Sequence, residues 1–283
     1  MKKRILAITG ALAVLCAGIY FYGAHMAQRL PDNSPAAFLK SNPDRTGKKV
    51  VVCVGDSITH GRVSHNYVDM TAGKLSDRGF IVVNAGVNSE LAYNVLSRID
   101  EIIRCKPDYV TILIGTNDAN SSLSQENTAR AVKNMKLPRT PDRDWFAENL
   151  AGICRRLKAE TTARIALLSI PPIGEALQSP PLAASIEYSA VIRDIARREG
   201  CAYLPLNEKM ISYLEENHSP SPHSYSELQS LMYTGIFKRF IFGSSFDTIA
   251  EDNGFLLLTD FLHLNGRAAG MVAEMIIEFI GEK

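Results

Sequence analysis

The sequence predicts an α/β fold built on a parallel β-sheet with helices on both faces. Three observations carry this. Short apolar, β-branched runs recur at residues 49–54, 80–84, 109–114, 164–170 and 202–206, and strands without polar alternation are buried on both faces. Segments of helical periodicity lie between them, at 65–78, 91–105, 144–160 and 182–199, and that alternation implies parallel pairing through crossovers. The first three strand runs also end in turns rich in polar groups, which contain Gly55-Asp56-Ser57, Gly86-Val87-Asn88 and Gly115-Thr116-Asn117. In such sheets ligands bind beyond the carboxyl ends of the strands. Ser57, Gly86 and Asn117 are therefore expected to share one site.

The chain opens on Met1-Lys2-Lys3-Arg4, after which residues 5–24 carry no charged side chain. About 20 apolar residues match the hydrocarbon thickness of a bilayer, and the basic tip favours a cytoplasmic N-terminus. Residues 1–27 accordingly read as a membrane anchor or signal segment, expected to remain uncleaved because 23–27 offer no A-x-A-like site. The rest of the protein then lies on the periplasmic or extracellular side, with secretion after cleavage as the alternative. Residues 28–48, with Pro31, Pro35, Pro43 and Gly47, read as a linker, and the domain proper as 49–283.

Within it, Leu91, Val95, Leu96, Ile99, Ile102 and Ile103 share one helical face, as do Trp145, Leu150, Ile153 and Leu157. Residues 207–254 are long for a simple connection. They are expected to form an insertion, either a subdomain covering the sheet edge or a lid, and its run 231–242 is rich in Ile and Phe around Lys238-Arg239. Residues 264–279 close the chain as a helix. A formal charge of +1, with 22% charged and 46% hydrophobic residues, gives no basic field for nucleic acid. The five cysteines form no CxxC pair and, with the histidine spacing, suggest no zinc site.

The chemistry centres on Ser57 and on Thr259-Asp260-Phe261-Leu262-His263, just before the last helix. Acyl transfer needs a hydroxyl nucleophile, a base to take its proton and an acid to hold the base's tautomer. Ser57, His263 and Asp260 would supply them. It also needs donors aimed at the developing oxyanion, for which the Ser57 and Gly86 amides and the Asn117 side chain are candidates. Asp56 reads as a structural residue bonding turn amides, and Asp118 as fixing the Asn117 loop. His60 reads as a solvated loop histidine, and His65, His218 and His223 as surface residues.

Four blocks, Gly55-Asp56-Ser57, Gly86 with Asn88, Gly115-Thr116-Asn117-Asp118 and Asp260-Phe261-Leu262-His263, occur in the order of the SGNH (GDSL-type) hydrolases, which the chain resembles from about residue 49 to its end. The resemblance implies a three-layer α/β/α sandwich with a five-stranded parallel, flavodoxin-like sheet. It also implies serine-dependent ester hydrolysis without metal or cofactor. Ser57 would be the nucleophile, His263 the base, Asp260 its orienting acid, and Ser57, Gly86 and Asn117 the oxyanion hole. Many members carry a second glycine after the first, where this chain reads Asn88-Ser89. The expected substrates are acyl esters such as lysophospholipids near a membrane, with acetylated envelope or extracellular glycans as the alternative. An inactive SGNH-like domain binding a glycan or a partner is the reading from another class.

Overall fold

The computed structural model describes residues 17–217 and 222–281. Residues 17–28 form helix α1, followed by α2 (Pro35–Ser41), β1 (Lys49–Gly55), α3 (Ser57–His60), α4 (Tyr67–Leu75), β2 (Phe80–Gly86), α5 (Ala92–Ser97) and α6 (Ile99–Arg104). Then come β3 (Tyr109–Leu113), α7 (Thr116–Ser121), α8 (Gln125–Met135), α9 (Arg143–Glu160), β4 (Arg164–Leu168), α10 (Pro180–Glu199) and β5 (Ala202–Leu204). Helices α11 (Leu206–Glu216), α12 (Leu228–Ile241), α13 (Phe246–Asp252) and α14 (Gly266–Gly281) complete the chain.

The five strands pair in parallel in the order β2-β1-β3-β4-β5, the flavodoxin-like order. Val50, Val51, Val52, Cys53 and Val54 of β1 are fully buried, as a central strand covered on both faces requires. Helices α4, α11 and α14 pack together on one face, and α5, α6, α9 and α10 on the other. The order reverses at β1, so the crevice opens beyond the carboxyl ends of β1 and β3.

Two glycines shape that crevice. Gly55 and Gly86 end β1 and β2 and stand opposite each other in register. A Cβ on Gly55 would lie 2.1 Å from Thr59 Oγ1 and 2.3 Å from the Leu113 carbonyl. One on Gly86 would lie 2.1 Å from the His60 nitrogen and 2.5 Å from the Thr59 carbonyl carbon. The missing side chains let α3 drop onto the strand ends, and α3 begins with Ser57. Thr59 Oγ1 then bonds the buried Tyr67 hydroxyl at 2.8 Å, tying α3 to α4.

Several elements differ from the sequence reading. The single helix expected over 91–105 breaks at Arg98, whose φ of −114° is not helical. Its guanidinium turns inward to the buried Glu90, to Glu101 and to the Ala85 carbonyl. Helix α8 went unforeseen because its apolar stripe is short, only Ala131, Val132 and Met135 against Leu91, Leu137 and Trp145, and none of its residues is fully buried. Residues 28–48 do not behave as a loose linker. Asn33 accepts from the Asn84 amide at 3.0 Å and donates to the Val82 carbonyl at 3.2 Å, laying this stretch along the edge strand β2, with Ser34, Pro35 and Phe38 buried. Most of the run 5–24 falls outside the described residues, and no helix among those described is long and apolar enough to cross a membrane.

Replacing Gly86 by alanine forces backbone, not a flexible side chain, to move. The expected outcome is a loss of about 1–3 kcal/mol, as for overpacking, with a fall in kcat because α3 carries Ser57. Chemical denaturation and kinetics on Gly86→Ala test it, and a variant as stable and active as the parent contradicts this packing.

Candidate active site

Ser57, Asp260 and His263 meet at the carboxyl end of the sheet. Ser57 Oγ lies 3.0 Å from His263 Nε2, and His263 Nδ1 lies 2.8 Å from Asp260 Oδ2. The other Asp260 oxygen accepts from the Leu262 amide at 2.7 Å and the His263 amide at 2.9 Å, so the carboxylate cannot swing away from the ring. Asp260 and His263 are both buried. Burial opposes a charge on His263, but the Asp260 charge and hydrogen bond, with Asp56 nearby, outweigh it and raise the imidazole above its ordinary 6.5.

The segment carrying this pair is fastened from a distance. Glu175 is buried, and its carboxylate accepts from three consecutive amides, Leu256, Leu257 and Leu258, at 2.8, 2.7 and 2.9 Å. The Thr259 amide donates to the His263 carbonyl at 2.7 Å, and Leu258 bridges Leu264. Phe261 is held through its carbonyl by the Gly174 amide. This tight loop replaces the simple loop-to-helix junction that the sequence suggested.

Asp56 caps α3 by accepting from the Ile58 amide at 2.9 Å, as expected of a turn residue. It also receives Asn117 Nδ2 at 3.3 Å, and the same amide group donates to the Glu90 carbonyl at 3.1 Å. Burial pushes Asp56 up to about 7, against the Ile58 bond and the His263 charge. Burial also takes Asp118 to about 7, and its carboxylate accepts from the Ala92 amide at 3.2 Å. Asp118 therefore joins the Asn117 segment to the start of α5.

Gly86 does not offer its amide to the site as expected. That amide donates to Asn84 Oδ1 at 3.0 Å, while Asn84 Nδ2 donates to the Thr59 carbonyl at 2.8 Å. Gly86 is glycine because α3 lies on it. The strand is followed by a turn over 87–90, closed by the Glu90 amide on the Val87 carbonyl. Ser89 takes φ +64° there, the left-handed conformation that usually selects glycine. The Asn88 and Ser89 amides make no hydrogen bond among the described residues.

His60 is buried rather than solvated. Burial and the neighbouring Arg62 push it down to about 4, against a hydrogen bond to the Arg29 backbone. His65 is half-buried with its ring edge-on to Phe246, and His223 pairs with Glu227 at 3.0 Å, while His218 lies outside the described residues. Cys53, Cys105, Cys154 and Cys201 are free thiols. Beside Asp260 lies a narrow recess of about 10 Å³, lined by Arg62, Leu231, Ile236, Arg239 and Phe246. Helix α12 is one of its walls. The run 231–242 thus lies largely outside the core, with only Leu231 of it buried.

The profile of the GDSL-like lipase/acylhydrolase family matches residues 53–228. The chain belongs to that family. It is an SGNH-type esterase. Among solved structures it is similar to the acetyl xylan esterase AlAXEase, with TM-score 0.59 and 19% identity over 82% of this chain and 99% of that one. It is also similar to Axe2, an acetylxylan esterase from Geobacillus stearothermophilus, with TM-score 0.58 and 18% identity over 85% and 98%. LAE5, an alpha/beta hydrolase from the metagenome of Lake Arreo, Spain, matches at TM-score 0.56 and 18% identity over 82% and 95%. No curated protein matches. At such identities these likenesses speak for the fold, whose five-stranded parallel sheet they share with the family.

Sequence reasoning missed Asn84, Glu90, Arg98 and Glu175. Only Arg98 left a signal, a charged side chain on the otherwise apolar face of the expected helix. Glu175→Gln tests the fastening of the Asp260 loop. An amide offers one acceptor where three backbone donors converge, and each buried donor left unsatisfied costs about 1–3 kcal/mol. The expected outcome is a lower melting temperature and a lower kcat with KM unchanged. Unaltered kcat would show that the loop holds its shape without this carboxylate.

Proposed function

We propose that this esterase hydrolyses short acyl esters, in the first place acetyl groups on envelope or extracellular glycans, with Ser57 as nucleophile. The observation that carries the catalytic part is the continuous relay from Ser57 Oγ through His263 to Asp260, at 3.0 and 2.8 Å. Ser57 Oγ attacks the acyl carbon as His263 Nε2 takes its proton. Asp260 holds Nδ1–H and stabilises the imidazolium. The oxyanion is met by the Ser57 amide, by Asn117 Nδ2 turning from its 3.3 Å contact with Asp56, and by an amide of the 88–89 turn in place of Gly86. Collapse expels the alcohol, which takes the proton from His263. Water then attacks the acyl-serine by the same steps in reverse.

That two of the similar structures are acetylxylan esterases agrees with this reading. The apolar wall formed by α12 favours a second one, a lysophospholipid-like ester entering from that side. The protein is proposed to act on the outer side of the membrane, held by residues 5–24. Ala27, beside the place where a signal would be cut, is buried, and its carbonyl accepts from Asn88 Nδ2 at 2.7 Å, which supports retention of the segment.

A panel of p-nitrophenyl esters from acetate to palmitate, beside acetylated xylo-oligosaccharides, tests the substrate. Acetate and acetylated sugar should give the highest kcat/KM, and preference for palmitate would select the lipid reading. Ser57→Ala should lose several orders of magnitude in kcat, and full activity in the folded variant would end the covalent mechanism.

The pH profile follows from His263. Only the neutral ring accepts the serine proton, so kcat/KM should fall as pH drops through a midpoint above 6.5, the ordinary value from which His263 is raised. Asp260→Asn should move that midpoint down and lower kcat, by up to about 10⁴-fold. An unmoved midpoint would assign the titration to another group.

A further inference from the structure

Six exposed aromatic side chains occur among the described residues, and all six lie on two helices that touch. Tyr20, Phe21 and Tyr22 are on α1, Tyr233 and Phe237 are on α12 and Phe242 caps its end, with Phe21 69% and Phe242 71% exposed. The helices meet where Gly23 packs on Ile236, whose Cγ2 lies 3.9 Å from the position of a Cβ on that glycine. Phe237 and Phe242 stand edge-on at 5.2 Å, and Tyr20 and Phe21 at 5.6 Å. Soluble surfaces rarely gather apolar side chains in this way without a partner.

We propose that this aromatic surface docks on a lipid bilayer and holds the catalytic mouth at the membrane interface. The inference rests on the anchoring proposed above, but it adds a second contact that anchoring alone does not require. Residues 17–24 of the uncharged stretch 5–24 lie in α1, with Tyr20, Phe21 and Tyr22 close to the end of that stretch. From Tyr22 it is five residues to Ala27, which Asn88 of the catalytic turn binds, or roughly 8 Å at 1.5 Å per helical residue. No flexible tether separates the end of the apolar run from the site. Helix α12 flanks the same mouth and lines the recess beside Asp260. Tyrosine and phenylalanine suit the boundary between headgroups and acyl chains, where amphipathic surfaces sink about 5–10 Å.

Docking does not depend on anionic lipid. Lys238 is paired with Asp252 at 2.8 Å, while Arg239 stacks on Phe246 and donates to the Ser244 carbonyl. The basic pair within the run is thus committed to α13 and its approach rather than free to face headgroups.

The test uses the full-length protein reconstituted into phosphatidylcholine vesicles with bromine on the upper acyl chain. The protein has one tryptophan, Trp145, so Phe242→Trp in a Trp145→Phe background reports the patch alone. The expected result is a blue shift and loss of most of the emission in brominated vesicles, unchanged by high salt, with the parent's Trp145 unquenched. Tyr233→Trp in the same background provides a second probe should Phe242→Trp fold poorly. Protein that floats with the vesicles but keeps full emission at 242 and 233 is anchored without docking, which overturns the proposal while leaving the anchor. Failure to float overturns both. A blue shift that appears without lipid and grows with protein concentration assigns the patch to a second copy, and also overturns it.

Discussion

The site depends on two backbones approaching more closely than any side chain allows. Gly55 and Gly86 face each other across β1 and β2, and their empty faces receive Thr59 and His60 of α3. Because α3 lies in that notch, its first residue projects Ser57 over the sheet at the height where His263 waits. Asn84 secures the contact from below, donating to the Thr59 carbonyl and accepting from the Gly86 amide. The glycine expected as an oxyanion donor is a seat for the helix that carries Ser57.

Around this notch the protein builds a ring of buried carboxylates with different tasks. Asp260 faces the imidazole, Asp56 caps α3 and orients Asn117, Asp118 holds the start of α5, and Glu90 balances Arg98. Their surroundings separate them. Glu90 has a guanidinium within 2.6 Å, whereas Asp56 and Asp118 have only neutral donors, and burial raises all three, Asp56 and Asp118 to about 7. Asp260 is the carboxylate bonded to the imidazole, and the charge of Asp56 acts on the ring beside it. The recess beside Asp260 is finished by α12, which also carries the most exposed aromatic surface of the domain.

The parallel sheet, its order and the meeting of Ser57, Asp260 and His263 were legible in the sequence. Strand cores such as Val50 to Val54 have no polar interruption, and Ser57, Gly86 and Asn117 fall where strands end, while Asp260 and His263 precede the last helix. What escaped reading was the support. Glu175 is 83 residues from Leu258, and Asn84 is 25 from Thr59, so nothing local marks either as a partner. Helix α8 has only a short apolar stripe to announce it, and the kink at Arg98 arises from an ion pair rather than from a proline or glycine. His60 was misjudged because a histidine in a short polar segment looks solvated, whereas α3 seats on Gly86 and the Arg29 backbone bonds the ring. The insertion's run 231–242 was rich enough in Ile and Phe to pass for core, yet its surroundings leave most of it outside.

The separation of Ser57 from His263 along the chain has a consequence for the making of the protein. Ser57 precedes His263 by 206 residues, and the loop that holds His263 closes only when Leu264 and Asn265 have joined it from the far side. Contacts of such span are the slow ones to form, since the ends of the loop must be brought together first. In a chain emerging N-terminus first, Ser57 and all five strands are made before His263 and before α14, whose Val272, Ile276 and Phe279 are buried in the core. The pairing of Ser57 with His263 therefore waits on the same stretch of chain that supplies the cover for one face of the sheet.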